Sequence, residues 1–218
     1  SRICDSLISN MFINEVLEGT EITAKAMDAR GVIFVVDENY VIPEDFKISI
    51  PFVVVPVNSK MYPIGFVHEI CKAIKKYTKE VPFASVNKTD LFTDSSTMLE
   101  VCRSIKYSKP VIDKYVHVSG ECIPSSGFLN VTLGTTLRFL AEQCGGFIKN
   151  PAAIIINGLI VGTSANDLDI PITKSVKSVT FLPVKRKPNQ KHSECIRCGN
   201  CRRVCTMGLS PDVLYRHM

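Results

Sequence analysis

Nowhere do the 218 residues hold an apolar run of the roughly 18 residues that a membrane-spanning helix needs. The longest apolar stretches, 32–36 and 50–57, have the length of strands. The start, Ser1-Arg2-Ile3-Cys4-Asp5, lacks the basic-then-apolar order of a secretory signal. It also lacks an initiating Met, which leads us to expect that an upstream portion precedes it. Internal repeats and low-complexity segments are absent, and so is any serine or cysteine hydrolase signature. Gly145-Gly146 and Asn157-Gly158 open no phosphate-cradling pattern and read as turn chemistry. His68, His117 and His192 are too loosely spaced for a metal motif, and no nucleophile or carboxylate constellation accompanies them. Each reads as a solvated or half-buried residue, and no catalytic residue is expected.

What is present is an ordinary globular composition, 45% hydrophobic and 22% charged, with an unevenly placed net charge of +5. Residues 183–218 hold eight basic side chains (Lys185, Arg186, Lys187, Lys191, Arg197, Arg202, Arg203, Arg216) against Glu194 and Asp212. That segment is +6 and the rest is −1. A basic tail suits nucleic acid, anionic headgroups or an acidic protein. It equally suits a solvated linker whose arginines offset a negatively charged centre. The tail lacks the interleaved aromatics that stack on bases, so no nucleic-acid partner is expected. Of nine cysteines, four lie within eleven residues, while Cys4, Cys71, Cys102, Cys122 and Cys144 are scattered. The odd total argues against full pairing. The scattered five read as small buried hydrophobes of an intracellular, reduced chain.

Along the chain, Ile3, Leu7, Met11, Val16 and Leu17 keep helical spacing, interrupted at Gly19. Thr20 then caps a second piece to Ala29, and Gly31 closes it. Buried strands follow at 32–36 and 48–57. Val67, Ile70, Cys71, Ile74 and Tyr77 form the apolar face of an amphipathic helix. Met98, Val101, Cys102 and Ile105 do the same for a short helix at 97–105. The texture then changes. The alternating 115–119, a turn-rich 120–127 and a partner strand at 128–133 form a hairpin. Thr135 caps a helix through Gln143, and further strands are expected at 152–156 and 176–182. Hairpin, helix, strand is the order of a β-grasp unit. Within it Val116 and Val118 should share a buried face, with His117 on the other.

One motif carries chemistry. Cys195, Cys198, Cys201 and Cys205 have the C-x2-C-x2-C-x3-C spacing of ferredoxin-type sites. Tight loops bring three thiolates to the corners of a cubane, and Gly199 permits the backbone angles this requires. Zinc is the structural rival, although zinc ribbons separate their CxxC pairs by longer spacers. The residue after the fourth Cys is Thr206, where such motifs usually carry Pro.

The stretch CIRCGNCRRVCTMGLSPDVLY, residues 195–215, resembles the first cluster motif of the C subunit of the Rnf complex, a membrane-bound ferredoxin:NAD oxidoreductase that pumps Na⁺ or H⁺. Residues 115–147 (YVHVSGECIPSSGFLNVTLGTTLRFLAEQCGGF) are similar to that family's soluble-ligand-binding β-grasp domain, also found in the flavoprotein subunit of respiratory complex I. Residues 169–182 (DIPITKSVKSVTFL) are like its lead-in to the cluster, and 1–110 resemble, more weakly, the second half of its flavin/NAD domain. There are departures. The family's glycine-rich flavin loop and acidic motif lie upstream of anything in this chain. Its Tyr-Pro-x-Gly-Gly-Glu reads here Tyr62-Pro63-Ile64-Gly65-Phe66-Val67. Later family glycines correspond to Phe83-Ala84-Ser85 and to Asp94-Ser95-Ser96-Thr97. Each change closes space a phosphate or nicotinamide would use. The family's second four-cysteine motif is not reached before Met218.

The expectation is therefore an α/β layer followed by α+β: residues 1–110 as a remnant of a flavin/NAD domain, 111–182 as a β-grasp domain, and 183–218 as a basic linker and the start of a ferredoxin-like segment. The resemblance implies a truncated or degenerate member of the Rnf C-subunit family. It would relay electrons on the cytoplasmic face of the bacterial inner membrane, peripheral to it and held by the other subunits. Cys195, Cys198, Cys201 and Cys205 would be the [4Fe–4S] ligands, with no flavin or NAD site and no FMN expected. In two-cluster ferredoxins the fourth Cys of each run serves the other cluster. On that pattern Cys205 would wait for a second cluster and the site here would be substoichiometric or empty. Two alternatives stand beside this: a docking protein with a vestigial cluster site, and a related cobalamin-reducing flavoprotein.

Overall fold

The computed structural model describes residues 2–41, 43, 46–58, 67–77, 90–183, 195–205 and 208–216. Two compact units divide the chain, Ser1–Lys185 and Arg186–Met218. The expected basic linker lies mostly outside the described residues, as do positions 62–66, 83–85, His192, Thr206 and the side chain of His68.

The first unit opens with α1 (Arg2–Met11) and α2 (Ile13–Ala26). Gly19 does not break the chain, as its sequence context suggested, but lies inside α2. A Cβ there would stand 1.9 Å from the carbonyl oxygen of Met98, in α4 (Ser95–Lys106). The glycine is a packing device: it lets two helix backbones touch. The helix stop also differs from the expected Gly31. Asp28 takes the left-handed conformation (φ 51°). The Ala29 amide donates to Ala24 O at 2.9 Å and the Asp28 amide to Lys25 O at 3.2 Å, the paired bonds of a Schellman cap. Along the α2–α4 contact, Arg103 meets Glu15 at 2.7 Å and Lys106 meets Glu18 at 2.7 Å. On α4 the buried face is Met98, Leu99 and Cys102, while Ile105 is exposed, contrary to its expected place.

Strands β1 (Val32–Asp37) and β2 (Phe52–Val57) pair in parallel, Val32 opposite Phe52. Phe34, Phe46 and Phe52 cluster with ring centroids 4.8–5.9 Å apart. Every residue of β1 is half-buried rather than fully buried as expected. The helix α3 (Val67–Tyr77) buries Ile74, whereas Tyr77 is exposed.

Five strands make the second sheet: β3 (Asp113–Ser119), β4 (Gly127–Thr132), β5 (Ala153–Ile156), β6 (Thr163–Ala165) and β7 (Ser178–Leu182), in the order β4-β3-β7-β5-β6. β3 and β4 form an antiparallel hairpin, β7 lies parallel to β3 and antiparallel to β5, and β6 folds back on β5. The sheet is mixed and the small β1–β2 sheet is parallel, so the unit is of α/β type. Strand β3 alternates as its sequence promised: Val116 and Val118 are fully buried and His117 is half-buried on the opposite face. They join Val131, Ile154, Val179 and Phe181 beneath α5 (Leu137–Gln143), whose Leu137, Leu140 and Ala141 are also fully buried. The cap of α5 is Thr136, one residue past the expected Thr135, its hydroxyl accepting from the Phe139 amide at 3.3 Å. Gly145 and Gly146, both at positive φ, end that helix as expected.

The opposite face of β3 carries Tyr115, stacked on Phe128 (5.3 Å) and touching Phe12 (5.2 Å) at the end of α1. Beside it Lys177 Nζ binds Asp5 at 2.9 Å and Asp94 at 2.7 Å, tying β7 to α1 and to the N-cap of α4. Asn157, at φ 66°, fixes the base of the β5–β6 turn: its side chain accepts from the Lys177 amide (2.8 Å) and donates to Ser175 O (3.0 Å). The tip so held presents Leu159, Ile160 and Val161, each about two-thirds exposed. Among the described residues no helix is long and apolar enough to cross a membrane.

Candidate metal centre

The second unit is built on the four-cysteine run. Residues 195–199 take no regular structure, and the backbone turns at Arg197 (φ 55°) and Gly199 (φ 71°). A non-glycine residue at positive φ is uncommon, so Arg197 marks a backbone forced round a tight corner between two cysteines. Gly199 then starts α6 (Asn200–Val204), its carbonyl accepting from the amides of Arg202 and Arg203. After α6 the Gly208 amide, at φ 67°, donates to Cys205 O at 3.2 Å. Pro211 opens α7 (Pro211–Arg216), where its fixed φ suits the first turn and its missing N–H costs nothing.

Cys195 and Cys198 are exposed, and Cys201 and Cys205 are half-buried. No group of three or more Cys, His, Asp or Glu side chains is gathered to hold a metal among the described residues. The four sulfurs therefore sit on one short loop-and-helix segment without being drawn together. The donor set fits an iron–sulfur cluster in its chemistry: four thiols on a loop already turned twice, with nothing within 4 Å of the open side of Gly199. The same unit exposes Ile196, Val204, Leu209, Leu214 and Tyr215, apolar groups without an internal core.

Sequence reasoning missed one arrangement. The Arg202 guanidinium clasps the Asp212 carboxylate with two bonds, Nε to Oδ1 at 2.7 Å and Nη2 to Oδ2 at 2.8 Å. Asp212 Oδ1 also lies 4.0 Å from Cys201 Sγ. That carboxylate pushes the Arg202 pKa above its ordinary value. No periodic signal announces a pair ten residues apart. Only Pro211, as a helix start, hints that a second helix lies there to carry the acid.

Elsewhere, Asp94 of the stretch matching the family's glycines caps α4, its Oδ1 accepting from the Thr97 amide at 2.9 Å. A carboxylate thus already occupies the helix N-terminus where an anion would bind. His117 is pulled below the ordinary histidine pKa by burial. The buried thiols Cys4 and Cys102 are both pushed up to about 11, chiefly by burial, which keeps them protonated and inert.

No family model matches the chain. Among curated proteins, it is 26% identical over 220 residues to the C subunit of the ion-translocating oxidoreductase complex of Rhodobacter capsulatus, covering 95% of this chain and 41% of that protein. It is 33% identical over 118 residues to the C subunit of the proton-translocating ferredoxin:NAD(+) oxidoreductase complex of Clostridium ljungdahlii, 54% of this chain and 26% of the relative. To the C subunit of the Yersinia pestis ion-translocating oxidoreductase complex it is 29% identical over 158 residues, 71% of this chain and 25% of the relative. The chain thus spans about two fifths or less of the length of these relatives. Across that span, the chain is similar to the C subunits of ion-translocating, Rnf-type oxidoreductase complexes.

Proposed function

We propose that the chain is an electron-relay subunit that meets its neighbours at the cytoplasmic face of a bacterial inner membrane, with iron–sulfur ligands drawn from Cys195, Cys198, Cys201 and Cys205. The observation that carries this is the 2-2-3 spacing of those cysteines on a loop bent at Arg197 and Gly199. A bound [4Fe–4S] cluster supplies one-electron transfer. The protein's part is to present thiolates and shape the charge around them. The relatives' names support the setting, a multi-subunit ion-translocating complex with this chain as a peripheral member. The mixed sheet with α5 on one face agrees with a β-grasp domain over 111–182.

On the crossed pattern of two-cluster ferredoxins, Cys195, Cys198 and Cys201 serve one cluster and Cys205 serves another. A site with three thiolates leaves one iron open to water and oxygen. Anaerobic reconstitution, iron and sulfide analysis, and electron paramagnetic resonance test both statements. Iron that is retained, even substoichiometrically, and lost in Cys198→Ser supports relay, and a chain extended through the family's second four-cysteine motif that still takes up no iron refutes it. A stable centre lost equally in Cys205→Ser and Cys198→Ser refutes the crossing alone. The exposed Leu159-Ile160-Val161 tip, held rigid by Asn157, favours a second reading, docking without a cluster. Complex assembly that survives Cys198→Ser but fails in Ile160→Asp supports it.

A further inference from the structure

The turn between β5 and β6 is built to hold apolar groups outside the fold. Leu159, Ile160 and Val161 follow one another, and each is about two-thirds exposed. Turns are ordinarily polar, and an apolar run exposed at one works against solubility. The backbone nevertheless fixes this run in place. Gly158 turns at φ 103°, and the Gly162 amide donates to Gly158 O at 2.9 Å. A Cβ at Gly162 would collide with the carbonyl oxygens of Ile156 and Gly158, so glycine alone closes the loop there. Beneath, the Asn157 amide donates to Ser178 O at 2.8 Å, while its side chain bonds the backbone of Ser175 and Lys177. Around this base stand the exposed polar residues Thr173, Lys174 and Ser175. Lys177 faces both Asp5 and Asp94, so with Lys174 the collar is close to neutral. The attraction the tip can offer is therefore apolar rather than electrostatic.

Three side chains exposed to that extent offer on the order of 300 Å² of apolar surface. Each side of a stable protein interface supplies about 800 Å². An exposed turn is also convex, so a protein would need a matching pocket, whereas a lipid layer deforms around it. An apolar tip on a polar collar is the arrangement of an element that sinks about 5–10 Å into the boundary between headgroups and acyl chains. One such contact is weak, and stable attachment takes a second attraction, such as a basic patch. The same chain carries one: residues 183–218 hold eight basic side chains against two acidic ones, complementary to anionic headgroups. We propose that Leu159, Ile160 and Val161 form a lipid-inserting turn whose partner is an anionic bilayer surface. The proposal rests on the peripheral placement inferred above and needs no cluster.

The test sediments the full chain with vesicles of phosphatidylethanolamine and anionic phosphatidylglycerol. Ile160 is exposed, so changes there leave the core intact. Ile160→Asp should weaken partitioning about tenfold. Added salt should weaken wild type and variant in parallel, because it screens the basic segment and not the tip. The sequence has no Trp, so Ile160→Trp supplies a single reporter. Its emission should shift to the blue on vesicle binding and be quenched by brominated lipid. Tyr107→Trp, at the C-cap of α4, should do neither. Partitioning that Ile160→Asp leaves unchanged, or an Ile160→Trp emission that does not shift, overturns the proposal and leaves the basic segment as the whole attraction. A wild-type chain that binds no vesicles overturns it as well. If Ile160→Asp then still disrupts assembly with partner subunits, the docking reading stands with a protein at the tip. If assembly is also intact, that reading falls too.

Discussion

Replacing Lys177 by Met keeps the methylene stem and removes only the charge that faces Asp5 and Asp94. The side chains are 18%, 24% and 37% exposed, so the cluster sits between a surface pair and a buried one. Breaking a fully buried pair costs about 3–5 kcal/mol, and an exposed pair is worth about 0.2–1 kcal/mol. Discounting for the exposed fraction gives about 2–3 kcal/mol. For a unit of this size that is roughly 4–12 °C in Tm.

The pH dependence supplies a second signature. Burial pulls the Lys177 pKa down, but Asp5 and Asp94 together leave it above its ordinary 10.5. Its contribution is therefore complete below that value and is lost as pH rises through the raised one. Asp94 is pushed up by burial, yet the bonds from Lys177 and Thr97 leave it below 3.8, so its contribution is lost only as pH falls through the depressed value. Asp5 is opposite in sign: burial outweighs Lys177 and raises it above 3.8. Its ionisation costs stability, and acid relieves that cost. The Lys177→Met deficit should thus be widest from about pH 5 to 10, narrow in acid as Asp5 protonates, and vanish in strong alkali as the wild-type lysine discharges. Urea denaturation across pH measures it. A deficit below about 1 kcal/mol at pH 7, or one that ignores pH, refutes the buried-clamp argument.

Gly19→Ala should destabilise the first unit by about 2–4 kcal/mol in urea, because the new Cβ meets backbone atoms of Met98 that can yield only if α2 and α4 part. Phe181→Ala, at a fully buried position shared by β7 and the α5 face, should cost about 3–5 kcal/mol in the same assay. Flavin mononucleotide titrated into the chain should show no saturable fluorescence quenching at micromolar concentration, because Phe66 and Val67 stand where the family has a small and an acidic residue.

What the sequence made legible was local and periodic. The alternation at 115–119 and the turn glycines after α5 depend on neighbours in the chain, and the structure follows them. What it hid was non-local. Gly19 reads as a helix breaker until Met98 is seen against it, and Leu99 outranks Ile105 because it joins a core cluster with Cys4 and Ile8 of α1 and Val16 of α2. Strand β6, the three residues Thr163–Ala165, has no hydrophobic pattern and exists because β5 offers it an edge. The four cysteines stand out by their spacing alone, whereas the Arg202–Asp212 clasp beside them depends on a fold-back between two short helices that no spacing rule encodes.

The order β4-β3-β7-β5-β6 also has a consequence in time. The strand at the middle of the sheet is the last of the five to leave the ribosome. Until residues 178–182 emerge, the β3–β4 hairpin and the β5–β6 hairpin each hold an open, apolar edge with no partner. Neither can bury Val118 or Ile154 alone, so closure is a single late event that joins segments about 60 residues apart, and loop closure of that span slows it. A nascent chain halted before Ser178 is an aggregation-prone pair of hairpins, and a chaperone that shields it has its window between the synthesis of Ile156 and of Leu182.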